Sequence, residues 1–159
     1  MRAVLTKVKR ASVSVDGNVC GKINTGFLIL LGITHEDGEL QCRKLADKLC
    51  SLRIFDDEDG KINRSLDDVG GEILVISQFT LYGNCRKGRR PEFLSAARPE
   101  QATALYELFI SLCREKGYHV ETGEFGAHME VESVNDGPFT LIVDSDQLEL
   151  AKSAQGGLL

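Results

Sequence analysis

Apolar and polar residues alternate at the start of the chain: Val4, Thr6 and Val8 against Leu5 and Lys7, then Val13 and Val15 against Ser12 and Ser14. Alternation with period two predicts strands, here two of them. Asp16-Gly17-Asn18 reads as a hairpin turn, with Val19 to Asn24 returning. Phe27 to Leu31 is continuously apolar between Gly26 and Gly32, the pattern of a strand buried on both faces. His35 to Glu39 is a polar loop. From Leu40 to Leu52 the period becomes helical, with Leu45, Leu49 and Leu52 on one stripe and Ala46 and Cys50 beside it. Arg53-Ile54-Phe55 predicts a short strand. Ile73 to Ile76 predicts another buried one, running straight into Ser77-Gln78-Phe79-Thr80. Pro99 opens a second helix, which carries Ala102, Leu105, Tyr106, Phe109, Leu112 and Cys113 at helical spacing and ends at Gly117. Three strand-like pieces follow: His119 to Thr122, Met129 to Val134 and Phe139 to Val143. Periodicity fades from Asp144 to the end, where partial disorder is expected. These elements predict an α+β (mixed α/β) single domain over residues 1–145, with a multi-stranded mixed or barrel-like sheet and two main helices, followed by a C-terminal tail, 146–159.

Composition agrees with one core: 159 residues, 42% hydrophobic and 27% charged, are ordinary for a soluble domain. No apolar run is long enough to span a bilayer, and Met1 to Lys7 holds no signal-peptide pattern, so a cytoplasmic protein is expected. The five cysteines are scattered, with neither Cys-x-x-Cys nor zinc spacing, and are expected to be reduced and buried. The net charge of −5 argues against general nucleic-acid affinity. It leaves room for a local basic site. Arg86, Lys87, Arg89 and Arg90 follow directly after Ser77–Leu81, where a solvated charged loop is the ordinary reading and contact with RNA the alternative.

The candidate chemistry is sparse. Asp56 to Gly60 resembles a calcium loop but fails on register, since Gly60 at the sixth position would put Phe55 at the first ligand position and Leu66 at the last. No metal-ligand spacing, Gly-rich phosphate loop or Gly-x-Ser-x-Gly elbow occurs, so neither metal nor cofactor is expected. Nothing sets His35, His119 or His128 beside a serine. What remains is the end of the buried strand at Ser77. Backbone N–H groups released there could hold an oxyanion, a role worth roughly 3–4 kcal/mol per donor in acyl transfer. Thr80 is a candidate nucleophile without an identifiable base, or an ordinary hydroxyl. Gly137-Pro138 lies in Asn135-Asp136-Gly137-Pro138-Phe139-Thr140, between two strand-like runs. On its own this is most simply a tight turn. The cis form of an X-Pro bond costs only about 0.5–1 kcal/mol, so a rigid wall of carbonyls is the alternative.

Taken together, these segments resemble the D-aminoacyl-tRNA deacylase family over roughly Arg2 to Ser145. The strongest matches are Ser77-Gln78-Phe79-Thr80-Leu81 and Asn135-Asp136-Gly137-Pro138-Phe139-Thr140. Arg10-Ala11-Ser12-Val13, Leu52-Arg53-Ile54-Phe55, Gly60-Lys61-Ile62-Asn63, Gly70-Gly71-Glu72, Gly88 to Phe93, Pro99 to Tyr106 and Gly123 to Met129 fall between or before them in order. The resemblance implies hydrolysis of the ester joining a D-amino acid, or glycine, to the 3′-terminal adenosine of tRNA. It implies a homodimer with sites at the subunit interface. Ser77, Gln78, Phe79 and Thr80 would line one subunit's site. Gly137 and Pro138, with Asn135 beside them, would reach in from the other as a cis wall that rejects L side chains. Phe125 and Met129 would border the pocket, and Arg86, Lys87, Arg89 and Arg90 would meet tRNA. No side chain would act as nucleophile: the terminal ribose 2′-hydroxyl would assist, with backbone groups near Phe79 and Thr80 on the carbonyl. Two positions depart from the usual pattern. Phe139 stands where members carry Val. Lys7 stands where they carry Arg, which helps hold the Gly-Pro motif, and Lys lacks the bidentate fork of Arg. Rival readings are a non-catalytic module that binds a tRNA end, a structural dimer without ligand, and a paralogue editing L-alanyl-tRNA. Phe79 favours the D-specific group.

Overall fold

The computed structural model describes residues 1–148. Its sheet is organised by β1 (Arg2–Val15), which is long enough to serve two sets of neighbours. Arg2 to Val8 pair antiparallel with β3 (Gly26–Gly32), and Ala11 to Val15 with β2 (Asn18–Ile23). The other edge of β1 pairs with β8 (Glu130–Asp144). β3 runs parallel to β6 (Glu72–Ser77), and β6 parallel to β7 (Val120–Thr122). Parallel neighbours need crossovers. Here α1 (Glu39–Ser51) lies between β3 and β6 in the chain and α2 (Pro99–Glu115) between β6 and β7. A separate hairpin joins β4 (Phe55–Asp56) to β5 (Ile62–Arg64).

Two cores hold the layers together. Both helices bury their stripes against one face of the sheet: Cys42, Leu45, Ala46, Leu49 and Cys50 from α1, and Leu105, Tyr106, Phe109, Leu112 and Cys113 from α2. On the other face the sheet curls toward a barrel around Val8, Ala11, Val13, Ile23, Leu28, Leu74 and Ile76. Gly21 allows that closure, since a Cβ there would stand 2.7 Å from the Thr122 carbonyl oxygen. The start of the chain is also tied down. The Met1 ammonium donates to Asp37 Oδ1 at 2.5 Å and to Ser145 Oγ at 2.7 Å, with its own site and the Asp37 side chain buried.

The α+β fold and both helices stand as expected, while the strand count changes. The two N-terminal pieces form one strand, because β8 pairs across Arg10 to Ser14 and carries the ladder through the polar interval. Met129–Val134 and Phe139–Val143 likewise merge into β8, templated by β1, so Asn-Asp-Gly-Pro is not the turn of a hairpin. β4 starts only at Phe55. Cys42, Cys50 and Cys113 are buried, but Cys20 and Cys85 are exposed, correcting the expectation for those two. Cys20 lies on outer strand β2, and Cys85 follows Asn84 into the exposed basic turn. A short 3-10 turn at Ser145–Gln147 and Leu148 pack onto the domain. The rest of the expected tail lies outside the described residues.

Leu49 is fully buried and Leu94 is 82% exposed. Leu49→Ala is expected to lower unfolding free energy by about 2–5 kcal/mol, and Leu94→Ala by under about 0.5 kcal/mol. Denaturant titration checks the contrast.

Candidate active site

The site begins where parallel pairing stops. The last β6 residue in register is Ser77, opposite Leu31. The Gln78 N–H donates to the Leu31 carbonyl at 2.8 Å, and the chain then turns into a 3-10 segment, Phe79–Tyr82. Leading N–H groups of a helical turn have no partner within it. Among the described residues, those of Phe79 and Thr80 have no acceptor. The Gln78 side-chain amide is hydrogen-bonded to the Thr80 hydroxyl. Among the described residues, neither Ser77 nor Thr80 is hydrogen-bonded to a histidine or carboxylate.

Beside this segment lies a cavity of about 630 Å³. Ser77, Gln78 and Phe79 form one wall, and Phe125 and Met129 another, so five of the residues singled out from sequence meet there. Phe125 packs against Tyr106 at a ring-centroid distance of 5.8 Å. The Tyr106 hydroxyl donates to the Val75 carbonyl at 2.9 Å, and burial pushes its pKa up to about 12, so it stays protonated in neutral solution. Phe93, Arg98 and His128 also line the cavity. Sequence reasoning gave none of the three a place in the site. Phe93 and His128 sit in irregular segments without periodicity, although the Gly88–Phe93 match contained Phe93. Arg98 gave no signal beyond preceding Pro99. Phe93 meets Phe79 edge-on, with centroids 5.2 Å apart.

Thr80 is not part of the cavity wall, and neither are Asn135, Gly137 and Pro138 of the same chain. The latter three belong to a bulge in β8. Thr6 pairs with Thr140 and Val8 with Asn135, so Asp136 to Phe139 stand outside the ladder opposite Lys7. The Gly137-Pro138 bond is cis, and Gly137 has φ +146°. Asn135 spans the bulge: its Oδ1 accepts from the Phe139 N–H at 2.7 Å, and its Nδ2 donates to Thr140 Oγ1 at 3.0 Å. Lys7 is buried, donates to the Ile54 carbonyl at 3.4 Å, and sets its ammonium 5.3 Å from the Phe139 ring and 5.9 Å from that of Phe55. The two departures from the usual pattern therefore touch each other, as a cation over an aromatic face.

Arg86, Lys87, Arg89 and Arg90 are exposed on a turn closed by the Asn84–Glu92 bridge. Asn84 Nδ2 donates to Glu92 Oε1 at 2.7 Å, and the Arg86 N–H donates to Asn84 Oδ1 at 3.1 Å. The donors around Glu92, first the Leu94 N–H and then Asn84, hold its carboxyl below the usual range. Among the described residues no group of three or more His, Cys, Asp or Glu side chains gathers to hold a metal, and no helix is long and apolar enough to cross a membrane.

Residues 4–144 match the family profile described as D-Tyr-tRNA(Tyr) deacylase. The chain belongs to this family. It is 60% identical to the D-aminoacyl-tRNA deacylase of Thermus aquaticus, over 92% of this chain and 97% of that one. It is also 60% identical to the D-aminoacyl-tRNA deacylase of Brevibacillus brevis, over 91% of this chain and all of the other. A solved structure named c-Myc DNA Unwinding Element Binding Protein superposes with a TM-score of 0.84 at 40% identity, covering 91% of this chain and 98% of that one.

Asn135→Ala removes both hydrogen bonds that span the bulge, each worth about 1 kcal/mol or less at an exposed position. Amide exchange at Phe139 is expected to accelerate while amides of β3 and β6 stay protected. Hydrogen-exchange mass spectrometry or NMR reads the difference.

Proposed function

We propose that this protein hydrolyses the ester bond of D-aminoacyl-tRNA, releasing the D-amino acid and free tRNA. The enzyme class follows from family membership: the chain is a D-aminoacyl-tRNA deacylase. The observation that carries the reading is the pair of N–H groups at Phe79 and Thr80, unpaired among the described residues, beside an aromatic cavity where no described base is hydrogen-bonded to Ser77 or Thr80. Such donors stabilise the oxyanion that forms when water attacks an ester carbonyl. The leaving group is the 3′-oxygen of the terminal ribose. Its neighbouring 2′-hydroxyl supplies the polar assistance that Ser77 and Thr80 do not.

The second half of the proposal concerns chirality. Gly137 and Pro138 do not border the cavity of their own chain, which supports a wall against L side chains supplied by a second copy. A homodimer with Gly137-Pro138 of one subunit against Ser77–Thr80 of the other fits this separation. Two surfaces are available for it: the outer edge of β8, unpaired among the described residues, and Ile142, 71% exposed. The selection is steric exclusion, so glycine, which has no side chain to exclude, is accepted. The catalytic domain spans residues 1–145, acts in the cytoplasm where charged tRNA is used, and meets the tRNA backbone through Arg86, Lys87, Arg89 and Arg90.

The deciding assay compares release of D-tyrosine and L-tyrosine from charged tRNA by the purified protein. D-Tyrosine is expected to be released and L-tyrosine retained. Equal release would sink the chirality argument, and no release would sink the activity. Thr80→Ala is expected to keep activity within about tenfold, because its hydroxyl is not the attacking group. A loss of roughly a thousandfold or more would point to covalent catalysis instead.

A further inference from the structure

We propose that Arg98 is a specificity residue that grips the phosphate on the 5′ side of the terminal nucleoside, while Phe79 and Phe93 give the base an aromatic surface. The inference rests on the deacylase reading and adds to it a contact that reads nucleotide rather than nucleoside.

Charge on the cavity wall is the first observation. The chain holds 24 Asp and Glu residues, yet none lines the cavity, and Arg98 is the wall's one Arg or Lys. An acid-free wall that includes an arginine favours an anion. The second observation is that Arg98 is uncommitted. Among the described residues its side chain has no ion pair and no hydrogen bond, while its backbone is fixed. Its carbonyl accepts from the Ala102 N–H at 2.9 Å at the start of α2, and the preceding Ala97 N–H donates to the Ile33 carbonyl at 2.9 Å. The Cα is thus anchored to two elements and the guanidinium is left free. A guanidinium fork matches two phosphate oxygens at once. The third observation is Phe79, 55% exposed although it stands beside a largely apolar wall and edge-on to Phe93. An exposed aromatic face is a stacking platform for a base. A flat base next to a phosphate is a nucleotide.

The basic turn has a separate role. Its four cations stand on the Asn84–Glu92 stalk immediately before Phe93, so they reach phosphates further along the strand. Arg98 serves the nearest one.

Three D-tyrosyl esters test this: of adenosine, of adenosine 5′-monophosphate, and of intact tRNA. Arg98→Gln is expected to raise KM about tenfold for the monophosphate and tRNA esters with kcat nearly unchanged, and to leave the adenosine ester as the wild type handles it. Arg98→Lys is expected to recover part of the loss, since it restores the charge without the fork. Equal losses on the adenosine and monophosphate esters would make Arg98 a structural residue and overturn the assignment, as would no loss on either. Calorimetric binding of adenosine 5′-monophosphate against adenosine reads the same contact without turnover. Wild type preferring the monophosphate, with the preference lost in Arg98→Gln, supports Arg98 even if no ester is hydrolysed. No preference in the wild type overturns it.

Discussion

The site depends on where the parallel pairing of β3 with β6 ends. Both strands are buried on both faces, so their backbones are satisfied only by each other and by their outer neighbours. At Leu31 and Ser77 that pairing stops, after one more bond from the Gln78 N–H. The next N–H groups, of Phe79 and Thr80, are released within a tight turn and have no acceptor among the described residues. A strand ending thus becomes a source of oriented donors at no cost in side chains. The cavity lies at the carboxyl ends of these parallel strands, where crossover loops leave space above a sheet.

The rest of the site is built by departures from regular pairing. β8 follows β1 except at two register shifts: Lys9 stands unpaired between Val8 and Arg10, and Asp136 to Phe139 stand opposite Lys7 alone. A bulge this long needs its own support. Asn135 closes it from the polar side by bonding both Phe139 and Thr140. Lys7 holds it from the inside, its ammonium directed at the Phe139 ring rather than at a carboxylate. Lysine is a compact charge without the fork of arginine, and an aromatic face suits it. The Phe139 position and the Lys7 position therefore make sense as a pair.

Electrostatics divides the surface by task. A chain of net charge −5 would repel a polyanion if its charges were evenly spread. They are not. The acids leave the cavity wall altogether, and four cations gather on the turn that leads into it. Attraction between this protein and a nucleic acid would be local, short in range and sensitive to salt.

Much of this was legible in the sequence because local patterns determine local structure. The runs at Phe27–Leu31 and Ile73–Ile76 specify strands buried on both faces. The stripes through Leu45–Leu49 and Ala102–Cys113 specify helices, and Ser77–Thr80 with Asn135–Thr140 carry the family. Other features were decided only by pairing between distant segments. The polar intervals at Lys9-Arg10 and at Asn135–Pro138 look like strand breaks. They lie within single long strands because β1 and β8 template each other across more than a hundred residues of chain. Arg98, Phe93 and His128 carry no periodicity, the last two lying in matched motifs that give them no role, and all three reach the cavity because α2 and the loops beside it pack against the sheet's end. Lys7 reads as one polar residue in an alternating strand. Its burial against Phe139 appears only when a bulge 130 residues later folds over it, since sequence records which residues are apolar and not which distant atoms they will meet.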